Sequence, residues 1–222
     1  KFYQVLSRCS LLMKAQTTSF NEACAEIVLE INRLKSIITR PVVVAIDGGS
    51  GAGKSTLAFI LQKQTDAALV SADDFFAATI PDGEWDRFSV EERLRYVFEW
   101  QSIHDCALEP LLANKPAKWY PFDFEGGVQA DRTYKRKHQP VRVDPSQVII
   151  IEGAYCVGSE LSKLFDVTVL VDVSIVERHK RLVLREDAEF LRQWHQRWDP
   201  VEAYYFSELC PMSTFDFVVS NE

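Results

Sequence analysis

The chain has 222 residues, 47% of them hydrophobic, which suffices for one sizeable α/β domain with a small lid and is too few for two ordinary domains. A formal charge of −7 argues against a general affinity for nucleic acid, so any phosphate the chain binds has to meet a local cluster of positive charge. The five cysteines are scattered and form no CxxC pair, so they indicate neither a zinc site nor a disulfide framework.

No apolar run approaches the length of a membrane span, and the start lacks the basic, apolar and small-residue succession of a signal peptide. A reducing, cytoplasmic setting is therefore expected, with no membrane partner. In chain order, Ala23, Ile27, Ile31, Leu34 and Ile38 recur at three- and four-residue steps. That period predicts an amphipathic helix over 20–38, part of an N-terminal helical extension over 1–40. Pro41 ends it, and the continuous apolar run from Val42 to Ile46 predicts a strand buried on both faces. Apolar runs over 67–70, 148–151 and 167–171 lead respectively into Ser71-Ala72-Asp73-Asp74-Phe75-Phe76, Glu152-Gly153 and Asp172. Helical stretches are predicted over 55–64, 90–112 and 175–185, and 215–219 reads as a last strand. Strands alternating with helices give an α/β fold with a central, mainly parallel sheet flanked by helices, whose ligands sit beyond the carboxyl ends of the strands. The segment 115–145, rich in Pro, Gly, aromatic and charged residues, reads as a loop or short hairpin beside that site.

The first strand delivers the chain to Gly48-Gly49-Ser50-Gly51-Ala52-Gly53-Lys54-Ser55, followed by the helical Thr56-Leu57-Ala58. This is the P-loop pattern GxxxxGK[ST] in its required strand–turn–helix setting. Its backbone N–H groups point at phosphate, and the new helix adds the positive end of its dipole. Lys54 reaches the β- and γ-phosphates of ATP, and the Ser55 hydroxyl goes to Mg²⁺. The motif makes the chain a P-loop NTPase in fold without separating kinases from switches or motors. A guanine-reading Asn-Lys-x-Asp segment is missing, since Asn114-Lys115-Pro116-Ala117 lacks the aspartate. A non-catalytic relic fits poorly with the joint presence of Lys54, Ser55, Asp73 and Glu152.

Phosphoryl transfer needs an acceptor hydroxyl, a group to take its proton, and positive charge around the moving phosphoryl. Asp73, after the second strand, is the expected proton acceptor, with Asp74 as its rival. Glu152, at a strand end, stands where P-loop proteins hold metal and its waters. Arg178, Arg181 and Arg185 share one helical face, and Arg192 and Arg197 follow; the region 175–200 is expected to be an arginine-bearing lid closing over the phosphates. Trp194, Trp198, Tyr204, Tyr205 and Phe206 read as packing beneath that lid or as a wall of the acceptor pocket. His104, His138, His179 and His195 show no metal-ligand spacing in the sequence.

The ordered set GGSGAGKS, SADDFF at 71–76, WDRF at 85–88, YPFDF at 120–124, IIEG at 150–153 and RHKRLVLRE at 178–186 resembles the uridine kinase and phosphoribulokinase family of P-loop kinases, from about Val42 to Asp216. The resemblance implies a single kinase domain over 1–222, ATP and Mg²⁺ as cofactors, a nucleoside-like small molecule as substrate, and a homo-oligomer as one available state. It makes Asp73 the base for the substrate 5′-hydroxyl, gives Asp86 to the ribose hydroxyls, and sets Phe122 and Phe124 around the base. Lys54, Arg181 and Arg185 then act on the phosphoryl group, Arg178 and Thr56 join residues 48–55 around the nucleotide, and Arg192 faces the substrate. Two departures bear on the acceptor: Phe122 replaces the family's tyrosine, and Glu125-Gly126-Gly127 stands where its histidine is expected. Arg87-Phe88 also replaces the His-Pro that follows the family's ribose-binding aspartate.

Overall fold

The computed structural model describes residues 20–222. Of the N-terminal extension expected over 1–40, residues 1–19 therefore lie outside the described residues, as does Cys9. Five parallel strands form the central sheet in the order β2-β5-β1-β6-β7: β1 Val42–Asp47, β2 Ala68–Ser71, β5 Val148–Glu152, β6 Val167–Asp172 and β7 Phe217–Ser220. β3 Ala117–Trp119 and β4 Val141–Val143 pair antiparallel as a separate hairpin.

The central strand β1 is buried along its whole length, as its unbroken apolar run requires. Strand alternation sends Val42, Val44 and Ile46 to one face of the sheet and Val43 and Ala45 to the other. The first face packs on α1 Phe20–Lys35, which buries Ala23, Cys24, Ile27, Ile31 and Leu34, and on α2 Lys54–Thr65. The second packs on the aromatic-rich half of the molecule, including Phe75, Trp85, Trp119, Trp198 and Tyr205. No helix among the described residues is long and apolar enough to cross a membrane.

One sequence expectation fails in an informative way. The helix predicted over 90–112 is broken into α3 Val90–Tyr96 and α4 Trp100–Ile103, the latter running through a π-turn at His104–Leu108 into α5 Glu109–Leu112. At the break, the backbone of 97–99 pairs with 75–77: Ala77 N donates to Val97 O at 3.0 Å, Glu99 N donates to Phe75 O at 2.9 Å, and Phe76 bridges to Phe98. Those tertiary hydrogen bonds replace the helical ones and hold Phe76 and Phe98 beside the site. Two helices follow β6: α6 Ile175–Val183 and α7 Ala188–Tyr204, capped by Ser174 and Asp187 respectively.

Candidate active site

The glycine-rich turn leaves β1 and enters α2 through Gly53, whose φ of 101° lies in the left-handed region that glycine tolerates. Gly49 is needed for a different reason: a Cβ there would stand 2.3 Å from the Arg178 guanidinium. Lys54 Nζ donates to the carbonyls of Gly48 and Gly49 at 3.0 and 3.2 Å, so the ammonium lies over the loop. Ser55 Oγ donates to Glu152 Oε2 at 3.2 Å, and Ser71 Oγ donates to Glu152 Oε1 at 2.9 Å.

Of these groups, Lys54 and Ser55 border a cavity of 890 Å³ at the carboxyl end of the sheet. Ser50, Gly51, Gly53, Lys54, Ser55 and Thr56 form its phosphate end, while Phe76, Phe98, Phe124, Trp194 and Trp198 form an aromatic end. Asp73 also borders the cavity, with its side chain exposed to it. Desolvation by the surrounding protein raises the Asp73 carboxyl above the ordinary aspartate range, against the opposing pull of Lys54 and Arg185. Asp74 points elsewhere: its Oδ2 accepts from Trp119 Nε1 at 2.7 Å. Glu152 is buried and raised, first by desolvation and then by the charge of Asp73. The Ser55 hydroxyl at the cavity wall and the buried Glu152 carboxylate behind it make a hard-oxygen donor set, the kind that suits Mg²⁺ with several retained waters.

The arginines expected to form a lid divide. Arg185 lines the cavity with little else to hold it. Arg181 also lines it, donating to Asn221 O at 2.5 Å and leaning on the carbonyls of Gly51 and Ala52 at 3.5 and 3.4 Å. Arg178 does not border the cavity: its Nη1 donates to Glu202 Oε2 at 2.6 Å and to Ser50 O at 3.0 Å, behind the glycine-rich turn. The expected nucleotide contact of Arg178 thus gives way to a supporting one. Arg192 is exposed and paired with Glu189 at 2.7 Å, away from the cavity.

Asp86 and Phe122 also depart from the expected pocket. Both Asp86 oxygens accept from Arg197 at 2.7 and 3.0 Å, and the same guanidinium holds Asp82 at 2.8 and 3.1 Å, so the turn over 82–86 is tied to α7 and its Asp86 carboxylate does not line the cavity. Arg197 lowers the carboxyls of Asp82 and Asp86 below the ordinary range. Phe122 is buried behind Phe124, ring centroids 4.5 Å apart, and only Phe124 reaches the cavity wall.

Two acidic residues were not legible as site residues. Glu202 Oε1 accepts the Ser50 N–H at 2.7 Å, and Asp47 accepts from Gly48 N, Tyr155 N, Val157 N and Tyr205 Oη at 2.6–3.0 Å. Both hold the P-loop from behind. An aspartate ending a buried apolar strand was the available signal for Asp47; Glu202 had none beyond its helix.

A glycine-rich turn between a buried parallel strand and a helix, with an aspartate just after β2 and arginines after β6 on the same cavity, is the arrangement of the P-loop kinase fold. No protein-family model matches the chain. It is 27% identical over 181 residues to the uridine kinase of Brevibacillus brevis, covering 78% of this chain and 77% of that one. To the uridine kinase of Streptococcus pyogenes it is 26% identical over 199 residues, covering 84% and 89%. Among solved structures, a Bacillus stearothermophilus protein described as a possible uridine kinase matches with a TM-score of 0.63 at 20% identity, covering 90% of this chain and 98% of that one. D-glycerate 3-kinase from Cryptococcus neoformans matches with a TM-score of 0.59 at 14% identity, covering 90% and 95%. The chain has the P-loop kinase fold, and the resemblance to uridine kinases read from its motifs extends over most of its length.

Proposed function

We propose that this chain is an ATP-dependent kinase that moves the γ-phosphoryl group of ATP to the 5′-hydroxyl of a uridine- or cytidine-like nucleoside. The observation that carries this reading is that Asp73 borders the same cavity as Lys54 and Ser55. A hydroxyl laid against Asp73 gives up its proton there while its oxygen attacks the phosphoryl group held by residues 48–55. Lys54, Arg181 and Arg185 offset the negative charge on that group. Ser55 and Glu152 would hold Mg²⁺, which when bound neutralises charge on the β- and γ-phosphates. Phe124, Trp194 and Trp198 supply flat apolar surfaces that suit a nucleobase.

In this reading the chain is one kinase domain in which 175–200 closes over the phosphates, and its small-molecule acceptor enters on the aromatic side. A second acceptor class, another small alcohol, is favoured by one observation: Asp86, which the resemblance assigns to ribose hydroxyls, is bound by Arg197 outside the cavity. The deciding experiment is Mg²⁺- and ATP-dependent ADP release across nucleosides, pantothenate, glycerate and simple sugars, with the product identified by mass. Stimulation by uridine or cytidine with a 5′-monophosphate product is the expected result. Release stimulated only by a non-nucleoside alcohol would move the acceptor to the second class, and no acceptor-dependent release at all would sink the kinase reading.

A further inference from the structure

The sequence shows no metal-ligand spacing among its histidines, yet folding brings two of them together with an aspartate at the seam between α6 and α7. His195 and Asp199 lie one turn apart on α7 and so project from the same side. His179, from α6, meets them there, with its ring centroid 3.8 Å from that of His195. The Asp199 carboxylate joins both rings: Oδ1 is 3.1 Å from His195 Nδ1, and Oδ2 is 3.3 Å from His179 Nε2. His179 Nε2 is sealed from water and makes no hydrogen bond, despite its closeness to the carboxylate. A buried polar nitrogen in that condition calls for a partner.

We propose that His179, His195 and Asp199 form a binding site for a divalent cation of the zinc class, separate from the Mg²⁺ of the nucleotide. Each residue can offer one ligand atom, and the three atoms lie within 4.8 Å of one another. A tetrahedral ion with bonds of about 2.0–2.1 Å separates its ligands by about 3.3–3.4 Å; the two imidazole nitrogens lie at about that distance from Asp199, each from a different oxygen, so a turn of the carboxylate would bring one oxygen to both. Two imidazoles and one carboxylate are a borderline donor set that suits Zn²⁺, Co²⁺ or Ni²⁺, whereas Mg²⁺ prefers oxygen alone. The side chains of His179, His195 and Asp199 are 33%, 25% and 28% exposed, so the cluster lies near the surface of the molecule. A second group, His104, Asp105 and Glu109, lies along one helical stretch without an orphaned nitrogen and serves as a control.

An ion at this seam would pin α6, whose Arg181 rests on the P-loop, to α7, whose Glu202 holds that loop from behind. It would couple metal availability to the geometry of the lid without touching the reacting groups.

The test uses the full chain stripped with chelator and titrated with Zn²⁺ alone by calorimetry, then with Co²⁺ to read its visible absorption. The expected result is one ion per chain, a Co²⁺ spectrum of four-coordinate character, and a rise in Tm with Zn²⁺. His179→Ala and Asp199→Asn should each weaken binding by about tenfold or more, as expected when a ligand is lost, while His104→Gln leaves it unchanged. Ring-proton NMR of the unsubstituted chain adds a test that does not depend on variants folding: Zn²⁺ should move the His179 and His195 signals first. Binding that survives in His179→Ala at parent affinity, or Zn²⁺ that leaves both ring signals in place, would overturn the site in favour of a plain hydrogen-bonded cluster.

Discussion

Arg178 and Glu202, from the successive helices α6 and α7, form a buried ion pair of 2.6 Å directly behind the glycine-rich turn, and each partner also bonds the backbone of Ser50. The pair is therefore part of the loop's support and not of its ligand surface. Removing one partner strands the other charge in a dry site, which costs about 3–5 kcal/mol, whereas replacing both by apolar residues of similar volume costs far less. Glu202→Ala and Arg178→Ala should each lower the urea-unfolding free energy by about that amount, and Arg178→Met combined with Glu202→Leu should recover much of it. The double variant should still bind ATP more weakly than the parent, because Ser50 has lost both of its anchors. Additive losses in the double variant would contradict the pairing.

Asp73→Asn should retain ATP binding and lose transfer by about a hundredfold to ten-thousandfold, the range of a missing general base. Asp74→Asn should act mainly on stability, since Asp74 holds Trp119. The pH dependence has a definite sign. The Asp73 carboxyl is raised, so it becomes protonated and useless as a base at a higher pH than an ordinary aspartate. The acid limb of kcat/KM for the acceptor should lie above the usual aspartate value of about 3.9. That limb should vanish from the residual activity of Asp73→Asn; an unchanged limb would hand the role to another group.

Lys54→Ala should reduce ADP release by about a hundredfold to a thousandfold with the far-ultraviolet circular dichroism unchanged, because a central charge on the transferring phosphoryl group disappears. A loss of only a few-fold would mean that the P-loop is not the catalytic centre.

Tyr205 Oη donates to Asp47 at 2.6 Å and accepts from Gly158 N at 2.7 Å, tying α7 to β1 and to the loop after β5. Tyr205→Phe leaves the Gly158 N–H without its acceptor and the buried Asp47 carboxylate one donor short. Unfolding free energy should fall by about 1–3 kcal/mol in denaturant melts. A neutral result would show that water replaces the hydroxyl.

Phe124→Ala removes an exposed ring from the cavity wall, so the acceptor KM should rise about tenfold for a stacked nucleobase, with the KM for ATP little changed. Equal effects on both substrates would place the ring beside the nucleotide.

Much of this molecule was legible before folding. The unbroken apolar runs at 42–46 and 148–151 could only be strands buried on both faces, and the glycine-rich turn between such a strand and a helix admits one backbone path. The period of residues 20–38 likewise marked the buried face of α1. These readings succeed because they rest on contacts made within a few residues along the chain.

What the sequence could not decide were pairings between segments far apart. Arg178 and Arg185 share a helical face in the sequence, but α7 supplies Glu202 to neutralise the first and nothing to neutralise the second, so one supports the loop and the other faces the cavity. Asp86 and Asp73 look alike as candidates until Arg197, 111 residues on, takes up Asp86. Likewise, His179, His195 and Asp199 have no shared spacing, and only the packing of α6 on α7 makes them neighbours. Local propensity and motif chemistry determined the strands, the loop and the base candidate; the partner of each charge, and with it the role of each charge, was decided by tertiary packing, because a buried ion is held by whatever counter-charge the fold brings within a few ångströms.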